Sequence, residues 1–507
     1  MEKSVSRVIS EFAFNLKYED LPKEVINEVK RFLYDSIGCA FGAYDAKDVK
    51  ILRNIYKQMG GRPEATVIAF GEKLPAVNAT LINSQMIRSL DFNDIYWKED
   101  PSHPSDLTPA ALACAELVGA SMKDVIVAIV LGYEFEQRLC EFAVPGIRER
   151  KWHHATLTQF VSPIVAGKIL GLSVDQMVNA IGISGSHNHT IGCPTAGKLT
   201  MMKNTVDPMA VQSGVVAALL AKNGFTGTEE IFEGKEGFMD CFFGWDPKRK
   251  KINPVKIHGR ESINDLSWDL NKLIGNLGKS YKIQECSMKA FPTEALTHTH
   301  ISAVLKAVTK NDVRYDEIEL VTITTIARAC DILFDPQKYK PESRETADHS
   351  LPYCIAAAIV DRKITAQTFS DEKLNDPKIW QVINRIRGEA SLEFEKMFPD
   401  KQPSKVVIKT KDGKEFSEYL EYPKGHPKEP MTMYDLENKF NSLSEGLLNK
   451  KRQLEIKNLI FNCENFSARK FMSRLALKVN GTEHAEVEIK KVKHGSAKKS
   501  IGRKARR

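Results

Sequence analysis

The sequence predicts a mainly α-helical protein with an inserted α+β unit. Three features predict it: apolar residues at helical spacing through the first half, a strand-rich texture in the middle, and a return of helical spacing before the end. Pro22 opens a segment in which Val25, Ile26, Val29, Phe32, Leu33 and Ile37 recur at three- and four-residue spacing as far as Gly42, an amphipathic helix. Similar spacing predicts helices over Ala76–Leu90, Pro109–Val118, Lys123–Phe142, Leu157–Leu172, Val174–Ile183 and Met209–Asn223. Several are apolar nearly all round and are expected in the core. From about Ile274 the texture changes. A helix at Ala295–Thr309 is followed by Ile318–Ala327, rich in Ile, Val and Thr and read as a strand, and then by a helix at Leu351–Asp361. Lys405–Thr410 and Glu415–Glu421 read as strand, tight turn and strand around Asp412-Gly413. Helical spacing resumes in Met433–Leu443 and Lys451–Asn462. At 507 residues the chain exceeds what one core usually organises. The expected division is a helical domain at 1–273, an α+β domain at 274–424, a helical return at 425–480 and a basic, disordered tail at 481–507.

Composition removes several function classes. No run of eighteen apolar residues and no basic-then-apolar leader at Met1–Tyr18 is present, so neither a membrane span nor a signal peptide is expected, and the default compartment is the cytoplasm. The formal charge is +8, but nine Lys/Arg and no Asp/Glu lie between Lys490 and Arg507, which leaves −1 for the rest. Nucleic-acid binding is therefore confined to non-specific contacts of the tail. A non-catalytic, nucleic-acid-associated protein using that tail is the rival from another class. The nine cysteines are never closer than twenty-four residues, so zinc and iron–sulfur motifs are missing and buried, reduced thiols are expected.

Four segments carry candidate chemistry. Asp91-Phe92-Asn93-Asp94 and His103-Pro104-Ser105-Asp106 place carboxylates and a histidine on one loop between two helices, an arrangement suited to general acid–base work. Nearby carboxylates there are expected to stabilise the His103 imidazolium. Lys151-Trp152-His153-His154 precedes an apolar helix whose N-terminus favours an anion, and either histidine is a candidate. Lys203 and Lys289 are single lysines among apolar neighbours, each requiring an anion or an internal partner. His187 and His189 have a superficial look of a metal pair but lack a third ligand nearby, and no metal is expected.

Taken in order, these segments resemble the MmgE/PrpD family. The DFND…HPSD loop, Glu345-Thr346-Ala347-Asp348-His349-Ser350-Leu351-Pro352-Tyr353, and Gly425-His426-Pro427 with Pro430-Met431-Thr432 carry the resemblance, which runs from about Val5 to Val479. It implies a helical domain from both chain ends, a smaller α+β lid, a cleft between them and a homodimer. It also implies a lyase acting on a small carboxylate without cofactor, with 2-methylcitrate dehydration foremost. A decarboxylase or isomerase of a related di- or tricarboxylate, such as cis-aconitate, is the alternative. Asp91, His103 and His154 are then the acid–base group, His153 being the other register, with the proton-abstracting member left open. Lys203, Lys289, Asp94 and His349 are then substrate-binding. Two departures matter. Ile95 replaces a threonine common in the family's loop, and Glu294 stands where decarboxylase members carry a histidine, which favours dehydration.

Overall fold

The computed structural model describes residues 3–196, 199–243 and 267–477, with short strands at 245–246, 251–252, 255–257 and 260–263. The tail expected at 481–507 lies outside the described residues. Helices predominate, and none of those described is long and apolar enough to cross a membrane.

The apolar periodicities of the first half become helices at Lys23–Gly42, Ala76–Arg88, Thr108–Val118, Met122–Phe142, Ala155–Leu170, Val174–Gly185 and Val206–Lys222. Serine starts two of them. Ser121 and Ser173 accept from the third helical N–H while Asp124 and Gln176 reach back, satisfying donors that a helix start leaves unpaired. Helices Ala155–Leu170 and Val206–Lys222 meet at Gly214, where a Cβ would come 1.9 Å from Ser162 Oγ, so only glycine permits the approach.

In the later part, Ile318–Thr325 is the centre of a four-stranded sheet. It pairs in parallel with Ile386–Ala390 and antiparallel with Ser404–Thr410, which in turn pairs with Glu415–Leu420. Helices His298–Lys310 and Leu351–Asp361 pack against this sheet and each other.

Buried apolar side chains fall mainly into two clusters. One runs from Val5 to Met288 and resumes from Met431 to Leu475; the other runs from Ala295 to Ile408 and also takes in Trp97. Tyr281, Ile283, Cys286 and Met288 pack in the first cluster, so the second begins at Ala295, past the compositional change read at Ile274. The strand Asp94–Trp97 touches both. Its Tyr96 belongs to the first cluster, and its Trp97 to the second, edge-on to Phe398 at 6.0 Å. The segment singled out for chemistry therefore sits where the two cores meet.

Candidate active site

The site is built from the loop that follows Ala76–Arg88. Asp91 adopts a left-handed backbone, φ +49°, seldom taken by a non-glycine residue and held here by the ionic contacts described below. Asn93 Nδ2 donates to Ser105 Oγ and Asp106 Oδ1, both at 3.0 Å, and the Ser105 N–H donates to Asp94 at 3.0 Å. These bonds close the loop on itself.

The strand Asp94–Trp97 then pairs antiparallel with Pro101–Ser102 on one side and Ser287–Met288 on the other. His103 and Lys289 each follow the last residue of a flanking strand, so sheet pairing brings them to one cavity from distant parts of the chain. Gly425 supports the outer strand. Met288 N–H donates to its carbonyl at 3.0 Å, its φ is +95°, and a Cβ would lie 1.8 Å from Met288 O. This gives the glycine of the Gly425-His426-Pro427 segment a physical reason.

Asp91, His103, His154, Lys203, Lys289 and His349 all line this buried cavity. His153 does not. Its Nδ1 accepts from Ala155 N–H at 3.0 Å behind His154, with ring centres 4.0 Å apart. Asp94, expected to bind substrate, is also off the cavity. Its carboxylate is taken by Ser105 and pushed up to about 6 by burial, and its carbonyl accepts from His103 Nδ1 at 2.6 Å. Asp94 thus orients His103.

That bond fixes the chemistry of the histidine. A carbonyl only accepts, so Nδ1 carries the proton and Nε2 presents a lone pair. Burial, with Arg88 and Lys289 adding to it, holds the His103 imidazolium well below its usual range. The expected stabilisation of the imidazolium by neighbouring carboxylates is overturned, because Asp91 is already committed to cations and Asp94 offers its carbonyl.

Asp91 is the electrostatic centre. Lys289 Nζ lies 2.8 Å from Oδ1, Lys203 Nζ 2.9 Å from Oδ2, and Arg88 also pairs with it. Burial raises the Asp91 carboxyl, but Lys203, Lys289 and Arg88 outweigh burial and hold it well below the carboxylate range. It stays ionised and is a weak base. Lys289 spends its three donors on Asp91 Oδ1, Asp91 O at 3.2 Å and Thr293 O at 3.0 Å. Lys203 makes no hydrogen bond of good geometry and keeps donors to offer.

Three further residues were not assigned to the site from the sequence. Arg88, 2% exposed, also stands 3.6 Å from Asp106 and 3.9 Å from Asp207. Arg148 lines the cavity, and its guanidinium makes no hydrogen bond or ion pair among the described residues. Glu294 lines it too, one carboxylate oxygen accepting from Leu296 N–H at 2.7 Å. Only Glu294 left a signal, as a departure in a recognisable segment; single arginines at a helix end and in a short 3-10 helix look like surface residues.

Among the described residues, two buried groups have enough ligand atoms to suggest a cation, and neither suits one. In His153, His154 and Asp207 the accepting Nδ1 of His153 requires its proton on Nε2, which makes that atom a donor. In Asp91, Asp348 and His349 the carboxylate of Asp91 already faces three side-chain cations.

Family comparisons agree with the segments that converge here. The MmgE/PrpD N-terminal domain matches residues 7–250 and the MmgE/PrpD C-terminal domain matches residues 291–465. The chain belongs to the MmgE/PrpD family. Similar proteins include cis-aconitate decarboxylase of Aspergillus terreus, 25% identical over 490 residues, covering 92% of this chain and 94% of that one. The Homo sapiens cis-aconitate decarboxylase is 27% identical over 465 residues, 88% and 89% of the two chains. The 2-methylcitrate dehydratase of Salmonella typhi is 24% identical over 441 residues, 81% and 84% of the two. In this MmgE/PrpD protein the Glu345–Tyr353 segment contributes His349, whose Nδ1 is hydrogen-bonded to Asp348, and both departures, Ile95 and Glu294, face the cavity.

Proposed function

We propose that this MmgE/PrpD protein is a hydro-lyase that removes water from a small hydroxy-tricarboxylic acid, with 2-methylcitrate as the leading substrate, without a metal ion. One observation carries the reading. A single buried cavity brings together cations with donors to spare, a neutral imidazole nitrogen and a carboxyl group in a depressed-charge environment. Elimination alpha to a carboxylate needs these three things: charge neutralisation, a base and an acid. His103 Nε2 is the base, and Lys203 and Arg148 anchor carboxylates. Lys289, read from the sequence as an anchor, instead holds Asp91 in place, because its donors are already used. His154 and His349 complete the polar wall.

Decarboxylation of a related unsaturated tricarboxylate is the second reading, favoured by the named activity of the cis-aconitate decarboxylase relatives. It has no leaving hydroxyl, and a cavity acid would there protonate carbon as carbon dioxide leaves.

The test is Lys203→Ala and Arg148→Ala. Each is expected to weaken substrate binding by about 1.5–3 kcal/mol, the worth of one charged hydrogen bond, with the fold retained. Steady-state kinetics on 2-methylcitrate read the effect, and unchanged KM in both variants removes the anchoring scheme.

A further inference from the structure

Glu294 begins the turn and helix that run from Ala295 to Lys310, and it is anchored from several directions. Its side-chain Oε2 caps Leu296 N–H, its own N–H donates to Asp348 O at 3.0 Å, and its carbonyl accepts from Thr297 Oγ1 at 2.7 Å. The other carboxylate oxygen makes no hydrogen bond among the described residues, although the side chain lines the cavity that holds His103, Lys203 and Lys289. A fixed carboxyl group with one unspent oxygen in a site for charged substrates calls for a role. Resting on the hydro-lyase reading, we infer that Glu294 is the acid that delivers a proton to the departing hydroxyl.

The step balances. His103 Nε2 takes the proton alpha to the carboxylate, the C–H electron pair becomes the new C=C bond, and the C–O bond breaks toward oxygen. That oxygen takes the Glu294 proton and leaves as water. Glu294 is then recharged, and His103 discharged, through solvent.

The surroundings suit this assignment. Burial pushes Glu294 up to about 7, Asp91 adding to the rise while Lys289 and Arg148 oppose it; Lys338 and Cys354 are near enough to feel its charge. Asp91, the other carboxylate lining the cavity, is held ionised and has no proton to give. An acid of this kind works while protonated, so turnover is expected to fall as pH rises through about 7.

The experiment compares wild type with Glu294→Gln on 2-methylcitrate and on its analogue with chloride in place of the hydroxyl, a leaving group that departs without being protonated. Glu294→Gln is expected to lose roughly a hundredfold or more in kcat on the hydroxy acid. It should lose the alkaline fall in its pH profile and keep chloride elimination within a few-fold of wild type. Glu294→Asp, which retains the carboxyl group, should recover part of the hydroxy-acid rate. Equal loss on both substrates would make Glu294 a binding or positioning residue and overturn the proposal, as would an unchanged rate on the hydroxy acid. Wild type that eliminates chloride yet dehydrates no hydroxy acid would instead overturn the hydro-lyase reading, and the Glu294 role with it.

Discussion

Lys439→Met is expected to lower the unfolding free energy by about 3–5 kcal/mol, the usual result of removing one partner from a buried ion pair. Lys439 lies on the helix Met433–Leu443 near the end of the chain, yet its ammonium is 2.6 Å from Asp35 on the helix Lys23–Gly42. It also donates to Phe92 O at 2.6 Å and Lys289 O at 2.9 Å. One side chain thus binds both chain ends to the two segments that carry Asp91 and Lys289. Burial pushes the Asp35 carboxyl up while Lys439 opposes this, so without the lysine a carboxyl and two carbonyls are left without it in a dry interior. Urea denaturation measures the loss, and Asp35→Asn in the Lys439→Met background should restore part of it. A loss below about 1 kcal/mol would show that the contact is replaceable.

His103→Gln is expected to reduce turnover by roughly a hundredfold or more, the range for loss of a positioned acid–base group, with KM and melting temperature near wild type. The bond from Nδ1 to Asp94 O aims a lone pair into the cavity, and glutamine has no equivalent base. The same substitution at His154 should cost turnover because that ring lines the cavity, 5.6 Å from His103. At His153 it should cost little turnover. A His103→Gln enzyme that melts earlier but turns over normally would reassign His103 to structure.

Helices were the most legible part of the sequence. Leu351–Asp361 and Met433–Leu443 stand where apolar spacing put them, because a helix packed on one face writes its period into the chain. The strand Ile386–Ala390 was not read. Its sequence, Ile-Arg-Gly-Glu-Ala, lacks alternation, and it lies at the edge of its sheet with only Ile386 buried. At the site, the residue types pointed to segments that converge on one cavity, but direction could not be read. Asp94 and His153 are each next to cavity residues in the chain and face elsewhere, while Arg148 and Glu294 reach the cavity from separate segments. The charge state of His103 was misread for a related reason. Spacing shows that carboxylates are near, and only geometry shows that those carboxylates already have partners.

The measurement closest to the central claim is ultraviolet absorbance of newly conjugated C=C bonds, with product identity checked by NMR. The protein would be handled in air, dialysed exhaustively against EDTA and offered a panel of hydroxy-tricarboxylates that includes 2-methylcitrate. Absorbance is expected to rise with 2-methylcitrate, at a rate that EDTA leaves unchanged and His103→Gln cuts by roughly a hundredfold. No rise with any member of the panel, a rise that appears only when iron is returned, or carbon dioxide release from cis-aconitate as the sole activity would contradict the account.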